Sequence, residues 1–269
     1  MKPLLFLILF LLMQGSSVAG WLISEESTDS FGNRLVQTTF IQNNLIRYET
    51  PSSIAIVDLN NKIITMIFSQ YKVYWSGTTN DLRLNTIAIF DSQLEQMLIG
   101  IPEYKRKELD SIYLEIRQQL LDSSIYITDQ NIAVIETDVK QNLLGYNAVK
   151  YNIVVDSTLI ESIWHTTEVK PYDDIDIGNM ISFMHQLNQG TGKGNISHTK
   201  EYLELLRSGM LLKSIEFSPD SNNYQTIVTN IREVEIVPDF FLPPKNYRKA
   251  ALSDILNLMP QETNDMRHK

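Results

Sequence analysis

The stretch Ile54–Trp75, IAIVDLNNKIITMIFSQYKVYW, constrains this chain more than any other. It holds three short runs rich in β-branched and aromatic residues, separated by Asn60-Asn61 and Ser69-Gln70. Asparagine tolerates the left-handed backbone of a two-residue hairpin turn, so both breaks read as turns of an antiparallel meander. With two-residue turns, Val57 faces Ile64, which faces Trp75; Ala55 faces Met66, which faces Val73; and Phe68 pairs with Tyr71. One side of the ribbon is then nearly all apolar. The other side, with Ile56, Asp58, Thr65, Lys72 and Tyr74, is mixed. A slip of one residue would turn the apolar side into water, so the register is strongly specified. Such a sheet needs a cover, which is either a set of helices or an apolar ligand.

The pattern is extended before this stretch as well. Trp21 to Tyr48 reads as strands, with Asn43-Asn44 as a further turn pair. The first residues, MKPLLFLILFLLMQGSSVA, combine Lys2, an apolar run from Leu4 to Met13 and small residues at Ser17 and Ala19. They read as a secretory signal peptide cleaved after Ala19. The apolar run is shorter than the ~20 residues of a membrane span. The expectation is therefore an exported, soluble protein of the periplasm or extracellular space, without an integral membrane span after cleavage. The chain has no cysteine, which excludes disulfides, thiolate metal sites and a lipid anchor through an N-terminal Cys. Its formal net charge is −9, and loss of Lys2 with the leader makes it one charge more negative. Read as an acidic chain with no basic run, it is expected to be a poor polyanion binder and to have no nucleic-acid partner.

After the loop Ser76–Asp81, helical spacing takes over. Ser92-Gln93-Leu94-Glu95 fits a capping box ahead of Leu94, Met97, Leu98 and Ile101. Pro102 opens a second helix with Leu109, Ile112, Tyr113, Ile116 and Leu120 as one stripe. These helices are the expected lid on the apolar side of the meander. The polar face of the second mixes both charge signs, which argues against a membrane-surface helix. Strands resume at Ile132–Ile135, at Tyr146–Val155 and, after Asp156-Ser157, at Leu159–Glu168 with Trp164 at its centre. Asp173-Asp174 open a helix whose face is Ile177, Met180, Ile181, Met184 and Leu187. Gly190–Asn195 is a flexible connector, and Thr199–Arg207 is a short helix stopped by Gly209. Two strands, Leu211–Phe217 and Tyr224–Val237, precede a tail, Pro238–Pro244, held extended by its prolines. A last helical turn carries Leu252, Ile255, Leu256 and Met259.

Taken together, Lys72-Val73-Tyr74, Leu144-Gly145-Tyr146 leading to Lys150-Tyr151, Trp164, Gly209-Met210-Leu211-Leu212 and Phe241-Leu242-Pro243-Pro244-Lys245-Asn246-Tyr247 resemble a family. It is an uncharacterised family of exported bacterial domains with a fold similar to the Lol-type lipoprotein carriers. The resemblance spans nearly the whole mature chain. It implies an α+β fold in which one strongly curved antiparallel β-sheet, a half-barrel, wraps around α-helices on its concave face and leaves an apolar pocket. The delivery function of the carriers has no counterpart residues here. The implied organisation is a leader over 1–19, one half-barrel domain over 20–259 and a disordered tail over 260–269.

Sites of chemistry are scarce. Gly190-Thr191-Gly192-Lys193-Gly194 lacks phosphate-loop spacing and follows a helix. His165, His185, His198 and His268 show no metal-ligand spacing, so no metal and no cofactor is expected. Asp173, Asp174 and Asp176 suit a helix N-terminus, and Asn195-Ile196-Ser197 is a glycosylation acceptor only in a eukaryotic host. No G-x-S-x-G elbow occurs. The candidate ligand-pocket residues are Val57, Ile64, Met66, Phe68, Tyr71, Val73, Trp75, Tyr151 and Trp164; each also suits an ordinary core. The first functional expectation is a non-enzymatic exported envelope protein that binds a lipid or other apolar small molecule in a concave pocket. The second is a structural or sensory domain that meets an envelope protein partner and fills its own cavity. A hydrolase is the third, and it requires Ser, His and Asp to converge in one cleft.

Overall fold

The structure is a computed structural model and describes residues 18–121, 131–187, 199–217 and 223–258. The leader up to residue 17, the Gly190–Asn195 connector, the Asn195 sequon, His198, His268, the 260–269 tail, Met259 and the side chain of Leu120 lie outside the described residues.

Six antiparallel strands form the first half: β1 (Val18–Thr28), β2 (Arg34–Gln42), β3 (Leu45–Glu49), β4 (Ile54–Asp58), β5 (Ile63–Phe68) and β6 (Val73–Thr78). Asn43 and Asn44 both take positive φ, 49° and 65°, and make the tight β2–β3 turn that their residue type favours. At the β4–β5 hairpin four residues, 59–62, connect the strands instead of two; the left-handed residue is Lys62 (φ 56°) rather than an asparagine, and Asp58 accepts from Asn61 N–H at 2.9 Å. The expected register survives: Val57 faces Ile64 and Ala55 faces Met66.

The β5–β6 register is a correction. Ser69–Tyr71 winds into a 3₁₀ turn and Lys72 adopts φ 51°, ψ 40°, so four residues connect the strands instead of two. Met66 therefore faces Trp75, Phe68 faces Val73 and Ile64 faces Gly77. The Ile64–Trp75, Met66–Val73 and Phe68–Tyr71 pairs do not form. Because side chains alternate with a period of two, a two-residue displacement leaves every one of them on its expected face.

The helical hairpin begins earlier than the spacing predicts. Thr78 caps α1 (Thr79–Leu98): its hydroxyl accepts from Asp81 N–H, and the Asp81 carboxylate accepts from Thr78 N–H at 2.8 Å. The Ser92–Glu95 box thus lies inside the helix. Residues 76–81, expected as a loop, instead hold the end of β6 and the first turn of α1. Helix α2 (Glu103–Leu121) follows Pro102 as expected. Strands β7 (Ile132–Leu143), β8 (Tyr146–Val155) and β9 (Thr158–Thr166) are joined by left-handed pairs at Leu144-Gly145 and Asp156-Ser157. A 3₁₀ turn, Pro171–Asp174, leads to α3 (Ile177–Leu187), whose first turn is capped by Asp176 rather than by the preceding acidic pair. Then come α4 (Lys200–Ser208), β10 (Met210–Glu216), β11 (Tyr224–Ile236), β12 (Arg248–Lys249) and α5 (Leu252–Leu258).

Among the described residues, twelve strands join one sheet in the order β12-β6-β5-β4-β3-β2-β1-β11-β10-β9-β8-β7. It is two antiparallel meanders joined through β1 and β11, with β12 parallel to β6 at one end. β12 and β7 are separate edges, so the sheet is open. The fold is α+β: a single large, almost wholly antiparallel sheet with helices against it.

Ile23, Ile41, Ile46, Val57, Ile64, Val73 and Trp75 belong with Phe183 of α3, Leu203 of α4 and Ile255 of α5 to one buried cluster, and Leu82 and Ile89 of α1 pack against it. The other face has its own cover. Pro238–Phe241, expected to be extended, forms a 3₁₀ turn, and Phe240 and Phe241 pack on Ile56, Ile67 and Phe40. Arg47 is locked beneath that turn, donating to Phe240 O and to Glu49, both at 2.6 Å.

Candidate functional site

Under α4 the helix-covered face changes character. Glu25 on β1 faces Val228 on β11; two residues on, Thr226 faces Ser214 of β10. Ser214 also faces Ile163 of β9, two residues from Glu161, and Glu161 stands directly across from Glu216. Alternation puts Glu25, Glu161 and Glu216 on the same side. Two short elements close over them. The 3₁₀ turn brings Tyr172. Helix α4, whose N-cap Thr199 accepts from Tyr202 N–H at 3.4 Å, brings Tyr202, while Leu205 seats the helix on Ile153 and Ile163. The helix ends at Gly209 in extended backbone, a position that admits only glycine because a Cβ there would lie 1.9 Å from Thr166 O. The result is a recess of about 200 Å³ lined by these five side chains over a floor that includes Leu211, Leu212 and Val228.

Its electrostatics follow from burial. Desolvation, and then the facing Glu216 carboxylate, lift Glu161 from 4.5 to about 7. Desolvation raises Glu25 as well. Tyr202 is raised by burial and then by Glu161; Tyr172 by burial and then by Glu25, so both phenols remain donors at neutral pH. Tyr48 is pushed up to about 12 by burial and by Glu25. The three carboxylates and the Tyr172 and Tyr202 hydroxyls have no side-chain hydrogen-bond partner among the described residues. Lys213 also borders the recess, but its ammonium lies 4.5 Å from the centre of the Trp164 ring. None of these oxygens is both buried and unpaired, so water reaches them, and an occupant that donates to carboxylates and accepts from phenols would take that water's place. A carboxyl that titrates near 7 can also hold or release a proton there.

The nine residues expected to line an apolar pocket divide between three places. Val57, Ile64, Met66, Phe68, Tyr71, Val73 and Trp75 share one packed cluster on β4–β6 and the turn after β5, under α1 and α5. Tyr151 lies many strands away, beside Ile163 and Tyr202, with its ring 6.1 Å from that of His165. Trp164 alternates to the opposite side of β9 from Ile163 and sits between the ammonium groups of Lys150 and Lys213, with its indole N–H buried and unpaired. His165 Nε2 contacts Leu205 O at 2.8 Å and Ser208 Oγ at 3.3 Å, yet Ser208 already donates to Leu205 O, and no carboxylate joins them among the described residues. Among the described residues no three His, Cys, Asp or Glu side chains, the recess carboxylates included, stand close enough together to hold a metal ion, and no helix is long and apolar enough to cross a membrane.

No sequence motif marks the recess, whose carboxylates come from opposite ends of the chain. The one local cue is Glu161, the single charged residue in the strand segment Leu159-Ile160-Glu161-Ser162-Ile163-Trp164. No protein-family profile matches the chain, and no curated protein matches it. Among solved structures it is similar to PNGF-II, at 11% identity over 89% of this chain and 32% of that chain, with a TM-score of 0.38. The chain thus spans about a third of the length of that protein.

Proposed function

We propose that this is a non-enzymatic exported envelope protein that binds a small amphiphile, with the ligand's polar head in the Glu25–Glu161–Tyr202 recess. The observation that carries the reading is the set of carboxylates and phenols without partners around a cavity of about 200 Å³. Three carboxylates disfavour an anionic head such as a free fatty acid; an ammonium or hydroxyl head suits them. The apolar floor of Leu211, Leu212 and Val228 suits the first carbons of a tail. The cavity is too small for a full acyl chain, so the tail runs out along the sheet. In this reading the open sheet bends into a half-barrel of the lipoprotein-carrier type, with the helices on its concave side. Export rests on the leader sequence.

A second reading, a structural or sensory domain that meets an envelope protein partner, is favoured by a different observation. The apolar face of β4–β6 is already packed by α1 and α5. Extraction of the purified protein into organic solvent, followed by mass spectrometry and by calorimetric titration with n-octylammonium and n-octanoate, separates the two. The ligand reading expects a co-purifying amphiphile, and ammonium binding that Glu161→Gln weakens while octanoate stays inert. An empty extract together with no heat from either probe would leave only the self-filled domain.

A further inference from the structure

The hairpin α1–α2 leaves the body of the fold. Ile87 is the last buried side chain of α1, and none of the described side chains of α2 is buried. From Ile87 to Ile99 the helix advances about 18 Å at about 1.5 Å per residue. Along that length the two helices hold each other. Phe90 stacks on Tyr113 with centroids 5.0 Å apart, and Asp91 accepts from the Tyr113 hydroxyl and pairs with Arg117 at 3.3 Å. Beyond this clamp the turn reads Met97-Leu98-Ile99-Gly100-Ile101-Pro102, without one polar side chain. Met97 is 60% and Ile99 79% exposed. After the exposed Glu103, and then Tyr104, come Lys105-Arg106-Lys107, all three exposed, the only three consecutive Lys or Arg residues in a chain of net charge −9. Arg106 Nε donates to Ile101 O at 2.8 Å, which fixes the basic segment to the apolar turn.

We infer that this turn is a membrane-docking tip. Met97 and Ile99 enter the boundary between headgroups and acyl chains of a bilayer, and Lys105, Arg106 and Lys107 meet anionic headgroups. The arrangement fits a bilayer better than a second copy of the chain: a six-residue turn offers far less surface than the ~800 Å² per partner of a stable interface. A shallow apolar wedge beside a small positive cluster is what an anionic lipid surface retains. The polar face of α2 as a whole mixes both charge signs, so the helix does not lie on the membrane and only the end of the hairpin touches it. Docking of this kind is independent of the recess, and either can fail without the other.

The test is co-sedimentation of the purified protein with vesicles of phosphatidylcholine alone and with about 30% phosphatidylglycerol, at low and high salt. The parent protein should partition onto the anionic vesicles and release as salt rises. Met97→Asp with Ile99→Asp should lower the partition coefficient at least about tenfold. Replacing Lys105, Arg106 and Lys107 by Gln should lower it about a hundredfold, at about fivefold per charge. All five positions are exposed, so thermal melts of the variants should match the parent. Absence of binding to anionic vesicles overturns the inference, as does equal binding by the variants. Sedimentation velocity showing a dimer that the Asp variant dissolves, without vesicle binding, also overturns it and assigns the tip to a second copy.

Discussion

Glu161→Gln is the perturbation whose sign and size the recess fixes most tightly. Folding carries this carboxyl from 4.5 to about 7, chiefly by burial and secondarily by the facing Glu216. A raised carboxyl makes the folded state bind more protons than the unfolded one between those two values. Its contribution is fully favourable below about pH 4.5 and is lost as pH rises through about 7. Each tenfold change in proton affinity is worth about 1.4 kcal/mol, which gives an upper bound of about 3.4 kcal/mol. Glu161 is half-buried and borders an open recess, and solvent screening brings that to about 2 kcal/mol. Glutamine keeps the shape and removes the charge. In thermal melts followed by circular dichroism, the variant should melt about 4–8 °C above the parent at pH 8, and the two should coincide near pH 4.5. Parallel profiles across that range, or a variant less stable at pH 8, would falsify the electrostatic account of the recess.

Other outcomes follow from single contacts. Thr78→Ala removes the cap of α1 and should cost about 1 kcal/mol in denaturant melts, with a small loss of helical signal. Trp75→Ala opens the core under α1 and should cost about 3–5 kcal/mol, enough to lose cooperative unfolding if the domain is marginal. Gly209→Ala must move the Thr166 backbone and should cost about 2–4 kcal/mol, whereas at exposed Gly32, with nothing within 4 Å, the same change meets only the strain of its φ of 81°, about 1–2 kcal/mol. Arg47→Met frees the turn Pro238–Phe241 and should raise amide exchange there while β4–β6 stay protected.

Strand positions were legible wherever alternation met a turn signal. Asn43-Asn44 and Asp156-Ser157 close two-residue turns where their residue types favour them, and the face of Val57, Ile64, Met66, Val73 and Trp75 followed from parity alone. Ser69-Gln70 misled because its turn draws in Tyr71 and Lys72, and a lysine in the left-handed region carries no residue-type warning. Ser92-x-x-Glu95 misled because the pattern satisfies the capping rule as well as Thr78-x-x-Asp81 does; only the end of β6 decides between them. Proline at 238 suits an extended tail, yet as the first residue of a 3₁₀ turn its fixed φ serves equally well. The recess was illegible for another reason. Pairing β1 with β11, the contact that sets Glu25 near Glu161, is a long-range choice that period-two patterning does not encode. Without that pairing, Glu161 is just one acidic residue in an apolar strand.

The central claim, that the recess is a ligand site, is tested most directly by following the Glu161 side-chain carboxyl by ¹³C NMR through a pH titration. The titration is run with and without n-octylammonium. A midpoint near 7 is expected in the free protein, moving to lower pH by about 1 or more as the bound cation stabilises the carboxylate. A midpoint near 4.5 in the free protein, or one that the cation leaves in place, would contradict the claim.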